Sequence, residues 1–104
     1  MDFYNQLNNN IDIIVRYMFG SLFDEDGCDI RDRYKLELNN YCERINYSLN
    51  ELIRFRQTNL TPDNIAFALE YEMIGYTCNP HPKENKDEFY KLANDLYKLY
   101  QSKL

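Results

Sequence analysis

The side chains in this chain that could hold a metal or act as nucleophiles gather in two short segments. The first, Asp24-Glu25-Asp26-Gly27-Cys28-Asp29, places several carboxylates around a glycine, the arrangement that hard cations such as calcium require. Aligning Gly27 with the invariant glycine of a calcium-binding loop puts Asp24 and Asp26 at ligand positions. The same alignment puts Leu22 at the first ligand and Arg33 where a bidentate glutamate belongs, so the motif fails at both ends. The segment reads instead as a solvated acidic turn capping the next helix. Asp24, Glu25 and Asp26 could there attract a basic partner.

The second segment is Thr77-Cys78-Asn79-Pro80-His81-Pro82. Cys78 and His81 have the spacing of half a zinc site, but no second pair exists, because Cys28 and Cys42 are far apart and Cys42 falls in the middle of a helical pattern. A Cys–His nucleophile would need an orienting acid and a Gly-rich oxyanion loop, and neither accompanies it. No arginine lies close before His81, the nearest being Arg56, so an Arg/His nuclease arrangement is also missing. Arg54-Phe55-Arg56 closes a helix, where cations favour the C-terminal dipole. The helix that follows carries Glu70 and Glu72 rather than a basic reading face. The expectation is a non-enzymatic protein with no cofactor and no metal.

The elements that position these residues are helical. A first helix, from about Asp2 to Phe23, carries the stripe Phe3, Leu7, Ile11, Ile14 or Val15, Met18 and Leu22, at the three-and-four spacing of a buried face. Asn8-Asn9-Asn10 is poor helix material and weakens its first turns. Asp29 suits the N-cap of a long second helix, about Ile30 to Gln57. Along it Ile30, Tyr34, Leu38, Tyr41, Ile45, Leu49 and Leu52 repeat as in a bundle. It would span roughly 42 Å, with Asn39-Asn40 the place for a kink. Thr61 caps a third helix, and Pro62 fits its first position. A Pro-rich link excludes helix. Asn85 with Glu88 then has the cap-plus-acid pattern opening a fourth helix that runs to the C-terminus. The expected fold is all-α, a four-helix antiparallel bundle with a long second helix, formed by residues 1–104 as a single helical domain.

The third helix, Pro62 to about Gly75, is apolar almost all the way round. Ile65, Leu69, Met73 and Tyr76 make one stripe, and Phe67, Tyr71 and Ile74 make another on roughly the opposite side. Such a helix is either enclosed by its own domain or keeps one face for a partner. A chain of 104 residues has little protein with which to enclose it. Phe67, Glu70, Tyr71 and Ile74 therefore join Asp24, Glu25 and Asp26 as the expected partner-binding residues.

Composition narrows the partner. A net charge of −5 disfavours direct contact with nucleic acid or an anionic membrane, both of which need a basic footprint. It is compatible with a larger, basic protein. The chain opens Met1-Asp2-Phe3 with no basic, apolar leader, and no apolar run approaches the length of a bilayer span. A cytoplasmic location with reduced thiols is expected. Asn, Tyr, Ile and Lys are abundant together, as in chains from AT-rich bacterial or phage genomes. These features point to an inhibitor that acts by direct protein–protein contact, of the toxin-immunity or anti-defence (anti-CRISPR) type. The alternative is a helical scaffold or secretion partner without inhibitory role.

A helical, metal-independent domain should give a strongly helical far-UV circular dichroism spectrum that EDTA leaves unchanged. A β-type spectrum, or a large drop in Tm on chelation, would contradict it.

Overall fold

The computed structural model describes residues 2–56, 59–73 and 85–104. They form six helices: α1 (Phe3–Asn9), α2 (Ile11–Phe19), α3 (Ile30–Arg33), α4 (Lys35–Arg54), α5 (Pro62–Tyr71) and α6 (Lys86–Ser102). Their only β pairing is an isolated antiparallel bridge between Phe23 and Asp29, and the architecture is all-α. No helix among the described residues is long and apolar enough to cross a membrane.

The expected first helix is two helices. Asn10 leaves the helical region (φ −117°, ψ 24°), and its backbone N–H bonds back to Leu7 and Asn8. Its side-chain amide donates to the Gln6 carbonyl at 2.7 Å, a local bond that competes with the helical ladder. The weakness at the Asn triplet is a full break. α2 then stops at Phe19, short of Phe23, because Gly20 adopts φ 82° and its N–H returns to the Arg16 carbonyl, an αL termination that glycine makes without steric cost.

The expected long second helix is also interrupted. Asp29 caps α3 by accepting from the Arg31 N–H, but Tyr34 breaks the run (φ −109°, ψ 31°) after one turn. The interruption is at Tyr34 and not at Asn39-Asn40, which lie inside α4. The Asn39 side chain accepts from the Tyr4 hydroxyl, so it links α1 to α4 instead of turning on its own backbone. α4 therefore covers roughly 30 Å.

α5 opens with a capping box. Asn64 N–H donates to Thr61 Oγ1 at 3.2 Å and Thr61 N–H donates to Asn64 Oδ1 at 3.0 Å, satisfying two free donors reciprocally. Pro62 takes the first position. The helix ends at Tyr71, four residues before Gly75. Asn85 does not cap α6 with its side chain; its amide crosses instead to the Ile13 carbonyl of α2 at 2.9 Å. Glu88 likewise pairs with Arg16 of α2.

One core joins these helices. α6 buries Phe89, Leu92, Ala93, Leu96 and Tyr100 and packs against α5, α2 and α1, while α1 also lies along α4. Tyr17 of α2 stacks on Phe89 with ring centroids 3.8 Å apart. Most of the expected stripes are buried: Phe3, Leu7, Ile14, Val15 and Met18 on the first two helices, and Ile30, Leu38, Tyr41, Ile45 and Leu49 beyond them. Ile11, Leu22, Tyr34 and Leu52 of the same stripes are half-buried at the core margin.

Tyr41 carries the fold's main buried polar link. Its hydroxyl donates to the Leu69 backbone carbonyl at 2.9 Å. The neighbouring carbonyls of Ala68 and Glu70 receive the N–H groups of Glu72 and Met73. A side chain of α4 thus completes the C-terminus of α5, where carbonyls lack intrahelical donors. Removing the hydroxyl alone, with Tyr41→Phe, should cost about 1–3 kcal/mol of stability in urea denaturation, since the acceptor stays buried.

Burial raises the Tyr41 hydroxyl well above the ordinary tyrosine value of 10.0, and burial likewise raises those of Tyr17 and Tyr100. The unfolded chain therefore releases these protons first. The stability they support is complete below pH 10 and is lost as pH rises from there toward the folded values. Tyr41→Phe should flatten that alkaline decline, and an unchanged slope would count against it.

Candidate functional site

α5 shows two unlike faces. Ile65, Leu69 and Met73 are at most 1% exposed, whereas Phe67 and Tyr71 are 67% and 63% exposed. The positions are one turn apart on the outer side, so their rings meet. The centroids are 6.1 Å apart and the planes 25° from parallel. The helix is not sandwiched on both sides; its second apolar stripe faces solvent at these two residues. Ile74, the third residue expected on that stripe, lies outside the described residues, as do Tyr76, Cys78 and His81.

The inner side packs along α6 and is bonded from α2 and α4. Tyr41 bonds the Leu69 carbonyl from α4. From α2, the Tyr17 hydroxyl donates to Glu70 Oε1 at 2.6 Å. Burial, then this bond to Glu70, pushes the Tyr17 proton well above its usual range, so the link is intact at neutral pH. Just past α5, Glu72 pairs with Arg44 of α4 at 2.9 Å. Glu70 is therefore a partly buried acceptor at the edge of the aromatic pair, not a free surface charge.

Beside Glu72 an open groove of about 430 Å³ runs along α4, lined by Asn40, Glu43, Arg44, Tyr47, Ser48 and Glu72. Tyr47 stands 68% exposed on its wall. Arg44 and Tyr47 are three apart on α4, and the ion pair to Glu72 makes the groove continuous with the end of α5. The sequence marks Tyr47 as lying outside the core stripe, but gives no sign that Arg44 reaches α5. That contact joins residues distant in sequence, and only the packing of α4 against the end of α5 creates it.

The acidic loop is a compact structure of its own. Gly27 adopts φ 80°, and its N–H closes a turn onto the Asp24 carbonyl. Asp24 Oδ1 accepts the N–H groups of Asp26 and Cys28, each at 2.9 Å, while Oδ2 receives Arg33 Nη1 at 2.7 Å. The bond from Arg33, followed by that from Cys28 N–H, holds the Asp24 carboxyl below its usual range. Asp24 therefore builds the loop, and Glu25 and Asp26 are the carboxylates it turns toward solvent. Among the described residues no His, Cys, Asp and Glu cluster could hold a metal ion. Cys28 is exposed and Cys42 is buried. Burial raises the Cys42 thiol to about 11, which keeps it protonated and unreactive at neutral pH.

The structure thus joins Phe67, Glu70 and Tyr71 in one region and keeps Asp24, Glu25 and Asp26 in another. The loop's side-chain bonds run to Arg31 and Arg33, and those of α5 and the residue after it run to Tyr17, Tyr41 and Arg44. The first region can offer apolar and aromatic area; the second can offer long-range negative potential. Substitution should separate the two faces of α5. Leu69→Ala should lose about 2–5 kcal/mol of stability by leaving a cavity. Phe67→Ser and Tyr71→Ser should each change it by less than about 1 kcal/mol. Equal losses by thermal or urea denaturation would mean that the outer face carries structural load.

Compared with known proteins, the chain matches no family model, no curated protein and no solved structure.

Proposed function

We propose that this chain is a non-enzymatic binding protein that inhibits a larger bacterial or phage protein by direct contact, with the outer face of α5 as its docking surface. The exposed Phe67–Tyr71 pair carries this reading. Large aromatic side chains standing together on a small domain are uncommon unless they meet a partner, and rigid tyrosines supply much of the energy where proteins bind. Anchoring α5 by the Tyr41 bond to its backbone, and by the Tyr17 and Arg44 bonds to the Glu70 and Glu72 side chains, holds the pair in place before encounter, which lowers the ordering cost of binding.

Glu25 and Asp26 add attraction for a basic partner, which acts on encounter rate more than on lifetime. Asp24 supports them by shaping the loop. Glu70 borders the docking face, and Ile74 extends the same helical stripe. The proposal takes the scaffold as a four-rod antiparallel bundle, with α1 and α2 as one broken rod and α3 and α4 as another. It places the protein in the cytoplasm with free thiols. A cofactor-free domain of this kind would inhibit by occupying a surface that its target needs.

The partner can be captured from the native host with tagged protein, and its affinity and activity then measured. Tyr71→Ala should weaken binding by about 2 kcal/mol, roughly thirtyfold, with Tm nearly unchanged. Glu25→Lys with Asp26→Lys should mainly lower the association rate, an effect that added salt screens. Saturating wild-type protein should suppress the partner's activity. A partner that binds with full activity would instead establish the scaffold role, and an unchanged affinity for Tyr71→Ala would remove α5 from the interface.

A further inference from the structure

We infer that the group recognised by α5 is an arginine side chain in a basic segment of the partner, with its guanidinium lying against the Phe67–Tyr71 rings and paired with Asp63. The inference rests on the reading of α5 as the docking face and names the chemistry that face selects. At 100° per residue, Asp63, Phe67, Glu70 and Tyr71 fall within one sector of about 100° on the helix. Pro62–Tyr71 contains no lysine or arginine, so the aromatic pair is bordered by negative charge alone along its own helix. Asp63 is exposed and has no ion pair among the described residues, unlike Glu72, which Arg44 engages.

These features discriminate among occupants. A purely apolar partner would strip water from Asp63 and return nothing to it. A second copy of this chain would set the same carboxylates against each other, on a molecule already at −5. A basic segment satisfies both the rings and the acid. Arginine fits better than lysine because its planar, weakly hydrated guanidinium stacks on aromatic faces while its edge donates to a carboxylate. Phe67 and Tyr71 are 67% and 63% exposed with their rings 6.1 Å apart, and an exposed ring face is what this stacking uses.

The test is a titration of the ¹⁵N-labelled full chain with a short Gly/Ser peptide bearing arginines and with its lysine counterpart, followed by amide chemical shifts. Saturable shifts are expected at Asp63, Phe67 and Tyr71, with the arginine peptide binding roughly two- to fivefold tighter. Asp63→Asn and Tyr71→Ala should each remove that preference, while Asp87→Asn, on an exposed acid of α6, should preserve it. Equal binding of the two peptides, or an Asp87→Asn loss matching that of Asp63→Asn, would show general charge attraction and overturn the inference. A photo-crosslinking residue at Phe67, used in the native host, tests the docking face separately. Specific protein adducts without arginine preference would leave the docking face standing and reject arginine recognition. Absence of adducts would reject both.

Discussion

The packing of α5 along α6, closed at its end by the hydrogen bond from the Tyr41 hydroxyl to the Leu69 carbonyl, determines how α5 is presented. A helix of ten residues is marginal by itself, since nucleation costs more than so few bonds return. It persists here because its first turn is capped by Thr61 and Asn64 and its last by a side chain from α4. Leu69 lies between Ile65 and Met73 on the stripe that packs inward. α5 packs along α6 with Ile65, Leu69 and Met73 buried, and the opposite side, with Phe67 and Tyr71, must then face out. The exposed pair is the geometric consequence of burying the opposite stripe, and the Tyr41 bond satisfies the Leu69 carbonyl that this burial encloses.

The asparagines perform related work elsewhere. An amide side chain both donates and accepts, so it can stop a helix or join two of them. Asn10 bonds the Gln6 carbonyl and divides the first helical pattern. Asn46 accepts from the Tyr4 N–H, Asn39 accepts from the Tyr4 hydroxyl, and Asn85 reaches Ile13. These bonds place α1 against α4 and α6 against α2 with polar links at the margin of an aromatic core.

Charge is distributed differently in the two acidic regions. In the 24–29 turn, backbone N–H groups and Arg33 converge on Asp24, so negative charge creates a local fold and leaves Glu25 and Asp26 at its tip. Around α5, Glu70 and Glu72 bind the helix to α2 and α4, which leaves Asp63 as its solvated acid. Similar residues act as internal connectors or as surface potential according to whether a donor from another helix reaches them.

The sequence by itself determined the helical class, the buried stripes, the Thr61–Pro62 start of α5 and the separation of its two apolar faces. Each depends on periodicity or on bonds between near neighbours, which residue spacing encodes. Spacing also ruled out a calcium loop of standard form, because Leu22 and Arg33 occupy ligand positions. Tertiary structure decided the rest. It placed the break at Tyr34 in preference to Asn39-Asn40, since Asn39 has a partner on α1. It took Asn85 away from its capping role, since the Ile13 carbonyl lies within reach. It also selected which stripe of α5 is buried, because both are apolar enough for a core and the choice is made by packing against α6, with Tyr41 and Tyr17 bonding the helix from distant positions. Two apolar faces on one short helix leave the choice open locally, and contacts between residues distant in sequence make it.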